Sequence, residues 1–138
     1  MDQSLSRGAT VVSWICQLTA AVILGQTLFF KFTGAPESVY IFSSLGAEPW
    51  GRLGSGALEL VAVILLLMPR TAAAGAVLAM GLMAGALMAH LTKLGIEVQG
   101  DGGLLFGLAV TTLVASAVVA FLRRSAIPLV GHWISART

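Results

Sequence analysis

Charge is what this sequence has least of: Asp, Glu, Lys and Arg together make up 10% of its residues. A water-soluble domain carries about a quarter, because charge must coat its surface. The shortage excludes an ordinary soluble surface, and a bilayer takes the place of water around most of the chain. Basic residues exceed acidic ones by only 8 to 6 and are not clustered, which excludes a nucleic-acid-binding stripe. Cys16 stands alone, so an intramolecular disulfide and a CxxC redox pair are both excluded. It reads as a small buried hydrophobe on a helix. The sequence has no cysteine cluster for iron–sulfur, no metal-ligand cluster and no glycine-rich phosphate loop after a strand. No self-contained catalytic or redox centre is visible, and whether the protein is an enzyme stays open.

Apolar residues are plentiful. They make up 57% of the chain, and the mean hydropathy is +0.93. Four runs stand out, at about 10–31, 49–68, 71–91 and 102–122. A helix needs about 20 apolar residues to cross a hydrocarbon core of about 30 Å. Pro49 is expected as the first residue of the second span, with Trp50 at the interface. The first run is too long for the apolar part of a signal peptide and lacks a cleavage pattern after it, so it reads as a retained span. Backbone in lipid must satisfy its own hydrogen bonds, so all four runs are predicted to be helices. The expected fold is a single all-α integral membrane domain over 1–138, a four-transmembrane-helix antiparallel bundle.

Orientation follows from the cations. Arg7, Arg70, Arg123, Arg124 and Arg137 fall on one side; Lys31, Arg52 and Lys93 fall on the other, beside Glu37, Glu48, Glu97 and Asp101. The positive-inside rule places both termini and the tail 123–138 in the cytoplasm. Loops 33–48 and 92–101 then face outward, and Pro69-Arg70 makes the second and third spans a tight hairpin. In loop 33–48, Val39, Tyr40, Phe42 and Leu45 are predicted to form the apolar side of a short interfacial helix begun at Pro36. The end of the tail reads as interfacial too. His90 is on the outer side and His132 in the tail, so one chain cannot bring both to a haem.

Apolar attraction does not hold helices together in lipid; close backbone approach between small residues does. The third span has a GxxxG step at Gly81 and Gly85, and the fourth has one at Gly103 and Gly107. These are expected to pack the bundle, with a homodimer seam on the Gly81/Gly85 face as the alternative. Met80, Met83 and Met88 read as adaptable filling.

Glu59 is the only charge between Leu53 and Met68, the apolar body of the second run. A carboxylate at the middle of a spanning helix costs about 3 kcal/mol on insertion scales. It must be protonated, paired or open to a wet cavity. Arg52 and Ser55 lie on its own helix face. Lys31 ends the first span with Gln26 more than a turn deeper; His90 ends the third, and Asp101 opens the fourth. All of these belong to the outer side, and no equivalent set is expected in the inner halves. A buried Glu59–Arg52 or Glu59–Lys31 pair could serve register alone. The sharper reading is a ligand pocket formed by Glu59, His90, Lys31, Arg52, Gln26 and Asp101, with no metal.

These residues sit in stretches that look familiar. The chain resembles the DoxX-like family of small bacterial four-helix membrane proteins over about 29–122. The resemblance rests on FFKF around Lys31, on LGAEPW, on GSGALELVAVILLLMPRTAAAGA and on AHLTKLGIEVQGDGGLLF. It implies a multi-pass protein of the bacterial cytoplasmic (inner) membrane. It also implies a link to thiosulfate–quinone oxidoreduction or to complexes handling oxidative or thiol stress; a distantly similar animal protein is a receptor-assembly chaperone. Lys31, Glu59, His90 and Asp101 match the family pattern and are implied as site residues. The expected function is binding of a hydrophobic ligand, quinone or lipid-like, as an accessory to a membrane redox or stress-response system. No intrinsic cofactor is expected other than a bound quinone, and in redox chemistry a partner redox subunit would carry the electrons. The alternatives are a scaffold or assembly factor for another membrane protein, and a small transporter working as an oligomer.

Overall fold

The computed structural model describes residues 5–127, and all regular structure among them is helical. Positions 128–138, with His132 and Arg137, lie outside the described residues, so the interfacial reading of the tail is not addressed. Helix α1 (Arg7–Thr33) is capped by Ser6, whose hydroxyl accepts from the Ala9 N–H at 3.1 Å. It ends at Gly34, whose φ of 66° is the left-handed stop that glycine takes without strain. At 27 residues it is about 40 Å long, more than a bilayer core requires. The short helix α2 (Pro36–Ser44) starts on Pro36, where a missing N–H costs nothing. Helix α3 (Trp50–Leu67) follows, then α4 (Ala72–Ala89), continued by a π turn over His90–Leu94, and α5 (Leu104–Leu122).

Four helices are long and apolar enough to cross a membrane: Arg7–Thr33, Trp50–Leu67, Ala72–Leu94 and Leu104–Leu122. Their boundaries depart from the expected ones where caps decide. Pro49 precedes the second span rather than opening it, and its carbonyl accepts from the Leu53 N–H at 3.0 Å. The fourth span starts at Leu104, because Gly102 and Gly103 have φ of 66° and 86°.

The helices form a square. Helix α1 packs on α3 and α5, α4 packs on the same two, and α1 and α4 face each other across the diagonal. One end of the square carries α2 and the 95–103 loop; we call it the long-loop end. The other carries the Pro69-Arg70 turn and Arg123, the short-turn end. The core is mostly alanine: Ala20, Ala62, Ala72, Ala76 and Ala79 are fully buried, with Leu24, Leu66 and Val119 between them. Large apolar side chains such as Val22, Phe29, Leu58, Val114 and Phe121 point outward instead. Small inside and large outside is the arrangement that helices in lipid require.

The GxxxG steps do not pack the bundle. A Cβ placed on Gly81, Gly85 or Gly107 would meet nothing within 4 Å, and Gly103 belongs to a turn. Alanines and Gly75 take that role. A Cβ on Gly75 would come within 2.8 Å of both Leu65 Cβ and the Leu66 nitrogen, so this glycine lets α4 close on α3. The Thr71 hydroxyl donates to the Leu65 carbonyl at 2.9 Å and ties the same hairpin.

The short-turn end also differs from expectation, for it has a buried polar set of its own. Gln17 and Ser13 are fully buried. The Ser13 hydroxyl donates to Gln17 Oε1 at 2.7 Å, and Gln17 Nε2 donates to the Leu66 carbonyl at 2.7 Å. Arg123 reaches in from α5 and donates to Ser13 Oγ at 2.7 Å. The set contains no carboxylate, and it satisfies a carbonyl at the end of α3 that its own helix leaves free.

Candidate functional site

A cavity of about 580 Å³ opens inside the square, with its polar groups toward the long-loop end. Glu59 is 3% exposed and lies at its polar end. The ammonium of Lys31 donates to Glu59 Oε1 at 2.5 Å and to Ser55 Oγ at 3.1 Å. Lys31 comes from the last turn of α1 and Ser55 from one turn before Glu59 on α3, so the pair clasps two neighbouring helices. Of the two pairings open in the sequence, the structure has the one with Lys31.

Arg52 is engaged elsewhere. Its Nε is 2.8 and 3.0 Å from the two Glu48 oxygens, its Nη2 is 2.7 Å from Glu48 Oε1, and its Nη1 donates to the Lys31 carbonyl. Arg52 thus caps the end of α1 and does not line the cavity. Glu48, in the turn just before α3, holds the guanidinium through both carboxylate oxygens and keeps it from the deeper Glu59.

Thr27 is a neighbour that the sequence did not single out. It sits one helical turn before Lys31, and that spacing is the signal that could have found it. Its Oγ1 is 2.7 Å from the Leu24 carbonyl and 2.9 Å from Glu59 Oε2. A hydroxyl has one proton to give. Directed at Glu59, it serves the carboxylate. Directed at Leu24, it leaves Oγ1 free to accept from a protonated Glu59. The hydrogen bonds close in either protonation state.

His90 is 6% exposed and opens the π turn that ends at Gly95. Its Nδ1 is 2.9 Å from the Gly95 carbonyl, which can only accept, so Nδ1 holds the proton in the neutral ring. Nε2 is then an acceptor. The Phe106 ring stands edge-on to the imidazole at 5.6 Å and fixes its plane. π turns are frequent at functional positions in helices.

Asp101 borders the cavity but is mainly a loop anchor. Its Oδ1 accepts from the Val98 and Gly103 N–H groups at 3.0 and 2.8 Å, and its Oδ2 from Leu105 at 3.1 Å. Burial pushes its pKa up, but the three N–H donors and nearby His90 outweigh that and hold it below the ordinary value.

The walls are apolar, with Leu24, Leu82, Met83, Leu105 and Leu108 among them. Helix α2 forms the lid with Ser38, Ile41, Phe42 and Leu45. Phe42 and Leu45 thus face the cavity, whereas Tyr40 is exposed and neither it nor Val39 lines the cavity. The cavity reaches the bundle surface at Gln26, Phe30, Gly81, Gly85 and Leu104, all of them exposed lining residues. Five of the six expected site residues therefore share one cavity, and Arg52 stands behind it. Among the described residues no cluster of three His, Cys, Asp or Glu could hold a metal.

Comparison of the chain with protein-family models, with curated proteins and with solved structures found no match.

Proposed function

We propose that this chain is a DoxX-like protein of the bacterial cytoplasmic membrane that binds a lipid-soluble ligand in the α2-lidded cavity. Both termini lie in the cytoplasm, and α2 lies at the outer interface. The ligand, a quinone or another lipid-like molecule, enters sideways from the outer leaflet. Its apolar body lies among the leucines of α4 and α5, and its polar head meets the Lys31–Glu59 pair and His90. The protein then serves a membrane redox or stress-response system as an accessory, and a partner supplies any electrons.

One observation carries this reading. A cavity of about 580 Å³ has apolar walls that reach the bundle surface and hydrogen-bonding groups at one end. That volume lies within the range of about 300–1,000 Å³ that small-molecule sites occupy. The Glu59–Thr27 arrangement supports a role for the head in proton exchange, because both protonation states are hydrogen-bonded.

The test is mass spectrometry of organic extracts from gently purified protein, wild type beside Glu59→Gln. A stoichiometric quinone or lipid in the wild type, depleted in the variant, is expected. An empty wild type with native helix content contradicts the reading.

A second reading has its own support: Gly81 and Gly85 form an exposed, unfilled GxxxG face suited to a second helix, from another copy or another membrane protein. Disulfide cross-linking of Gly85→Cys protein in membranes separates the two. A cross-linked dimer, or an adduct with one partner, favours assembly over ligand entry at that face.

A further inference from the structure

The charges around the cavity restrict what its occupant can be. One cation lines it, Lys31, against three carboxylates, Glu37, Glu59 and Asp101. The cation is already committed to Glu59 at 2.5 Å. Arg52, the next cation, is on Glu48 and outside the lining. Two of the carboxylates are likewise satisfied, Glu59 by Lys31 and Asp101 by three backbone N–H groups. Glu37 is different. It stands in the first turn of α2, lines the cavity, and has no salt bridge or side-chain hydrogen bond among the described residues.

Two other groups are similarly unspent. Ser38, 7% exposed, follows Glu37 on the lid and also lines the cavity, with no hydrogen bond to its hydroxyl among the described residues. His90, 6% exposed, has Nδ1 bound to Gly95 and Nε2 without a partner there. Neither atom is sealed off: among the described residues Ser116 Oγ is the one fully buried side-chain polar atom without a partner, so the Ser38 hydroxyl and His90 Nε2 keep accessible surface on residues that line the cavity. The unspent capacity is mainly acceptor capacity: a carboxylate, an imidazole nitrogen and a hydroxyl that can act either way.

From this arrangement we infer that the head of the ligand donates hydrogen bonds and carries no negative charge, with a long-chain amine as the tightest-binding class. The inference rests on the proposed ligand cavity and names the chemistry of its occupant. An ammonium or hydroxyl head gives its protons to Glu37 and to His90 Nε2. A carboxylate or phosphate head meets a Glu37 charge with no free cation to offset it, and like charges across a binding surface are strongly disfavoured. Glu37 also suits the α2 dipole, being in its first turn. That structural role would not distinguish an amine from an alcohol.

The experiment uses the full chain in nanodiscs of neutral phosphatidylcholine and three probes of one chain length: dodecylamine, dodecanol and dodecanoate. Thermal stabilisation is titrated with each probe for wild type and Glu37→Gln, with every concentration expressed as probe in the lipid phase after its partitioning into protein-free discs is measured. The expected result is half-maximal stabilisation of wild type by the amine at a concentration about tenfold lower than by dodecanoate, a modest factor for one charge contact. In Glu37→Gln the advantage of amine over alcohol is lost while the response to the alcohol remains. Dodecanoate binding as well as the amine, or an amine preference unchanged in Glu37→Gln, overturns the inference and leaves the cavity reading standing. No stabilisation by any of the three overturns both.

Discussion

Removing either member of the Lys31–Glu59 pair will hurt the bundle, and removing both will hurt it far less. At 2.5 Å the gross attraction is about 7 kcal/mol at an effective dielectric of about 20. Most of that is offset by taking both charges out of water, for Glu59 side-chain exposure is 4% and Lys31 15%. The net value of the pair is therefore small, whereas an orphaned charge keeps its whole desolvation cost. Lys31→Met and Glu59→Leu are each expected to destabilise by about 3–5 kcal/mol. The double variant is expected to return to within about 1–2 kcal/mol of wild type, since no charge is then left buried without its partner. Equilibrium unfolding in mixed detergent–SDS micelles gives all four values of the cycle. A double variant that loses the sum of the two single effects would refute the reasoning, because the two residues would then act independently.

Three further outcomes are expected. Gly75→Ala should cost about 1–3 kcal/mol, since its new Cβ has backbone within 2.8 Å, while Gly81→Ala and Gly85→Ala should not destabilise the bundle. Gln17→Leu should cost about 1–3 kcal/mol by leaving the Leu66 carbonyl without its partner, and an infrared shift of that carbonyl under isotope labelling would report it. Asp101 has a pKa below its ordinary value of 3.8, so its contribution is fully present above that value and disappears as pH falls through the lowered one. Protection factors for hydrogen exchange at Val98, Gly103 and Leu105, corrected for the intrinsic pH dependence of amide exchange, should fall in that window in wild type and stay flat in Asp101→Asn.

The spans were legible because apolar runs as long as a bilayer core have few other uses, and Glu59 was legible because a charge inside one demands a partner. Which partner was not, since Arg52 and Lys31 are both within reach along the sequence. The choice turned on Glu48, whose claim on Arg52 depends on how the chain turns into α3. Span ends moved where Gly34, Gly102 and Gly103 take left-handed backbone, a conformation that hydropathy does not register. The buried Gln17–Ser13–Arg123 set was missed because uncharged polar residues in a span leave little mark on its hydropathy. The glycine steps misled for a related reason. A small residue permits close approach, but only a neighbour at that height makes use of it, and Gly81 and Gly85 have a cavity beside them instead.

The central claim is that an amphipathic molecule occupies the cavity. Photolabelling with a diazirine-bearing long-chain alcohol in nanodiscs, followed by peptide mapping, tests it most directly. The account predicts adducts concentrated on Met83, Leu105 and Leu108, suppressed by Gly85→Phe at the cavity mouth. Adducts spread evenly over outward residues such as Val22, Leu58 and Val114, unchanged by that substitution, would contradict it.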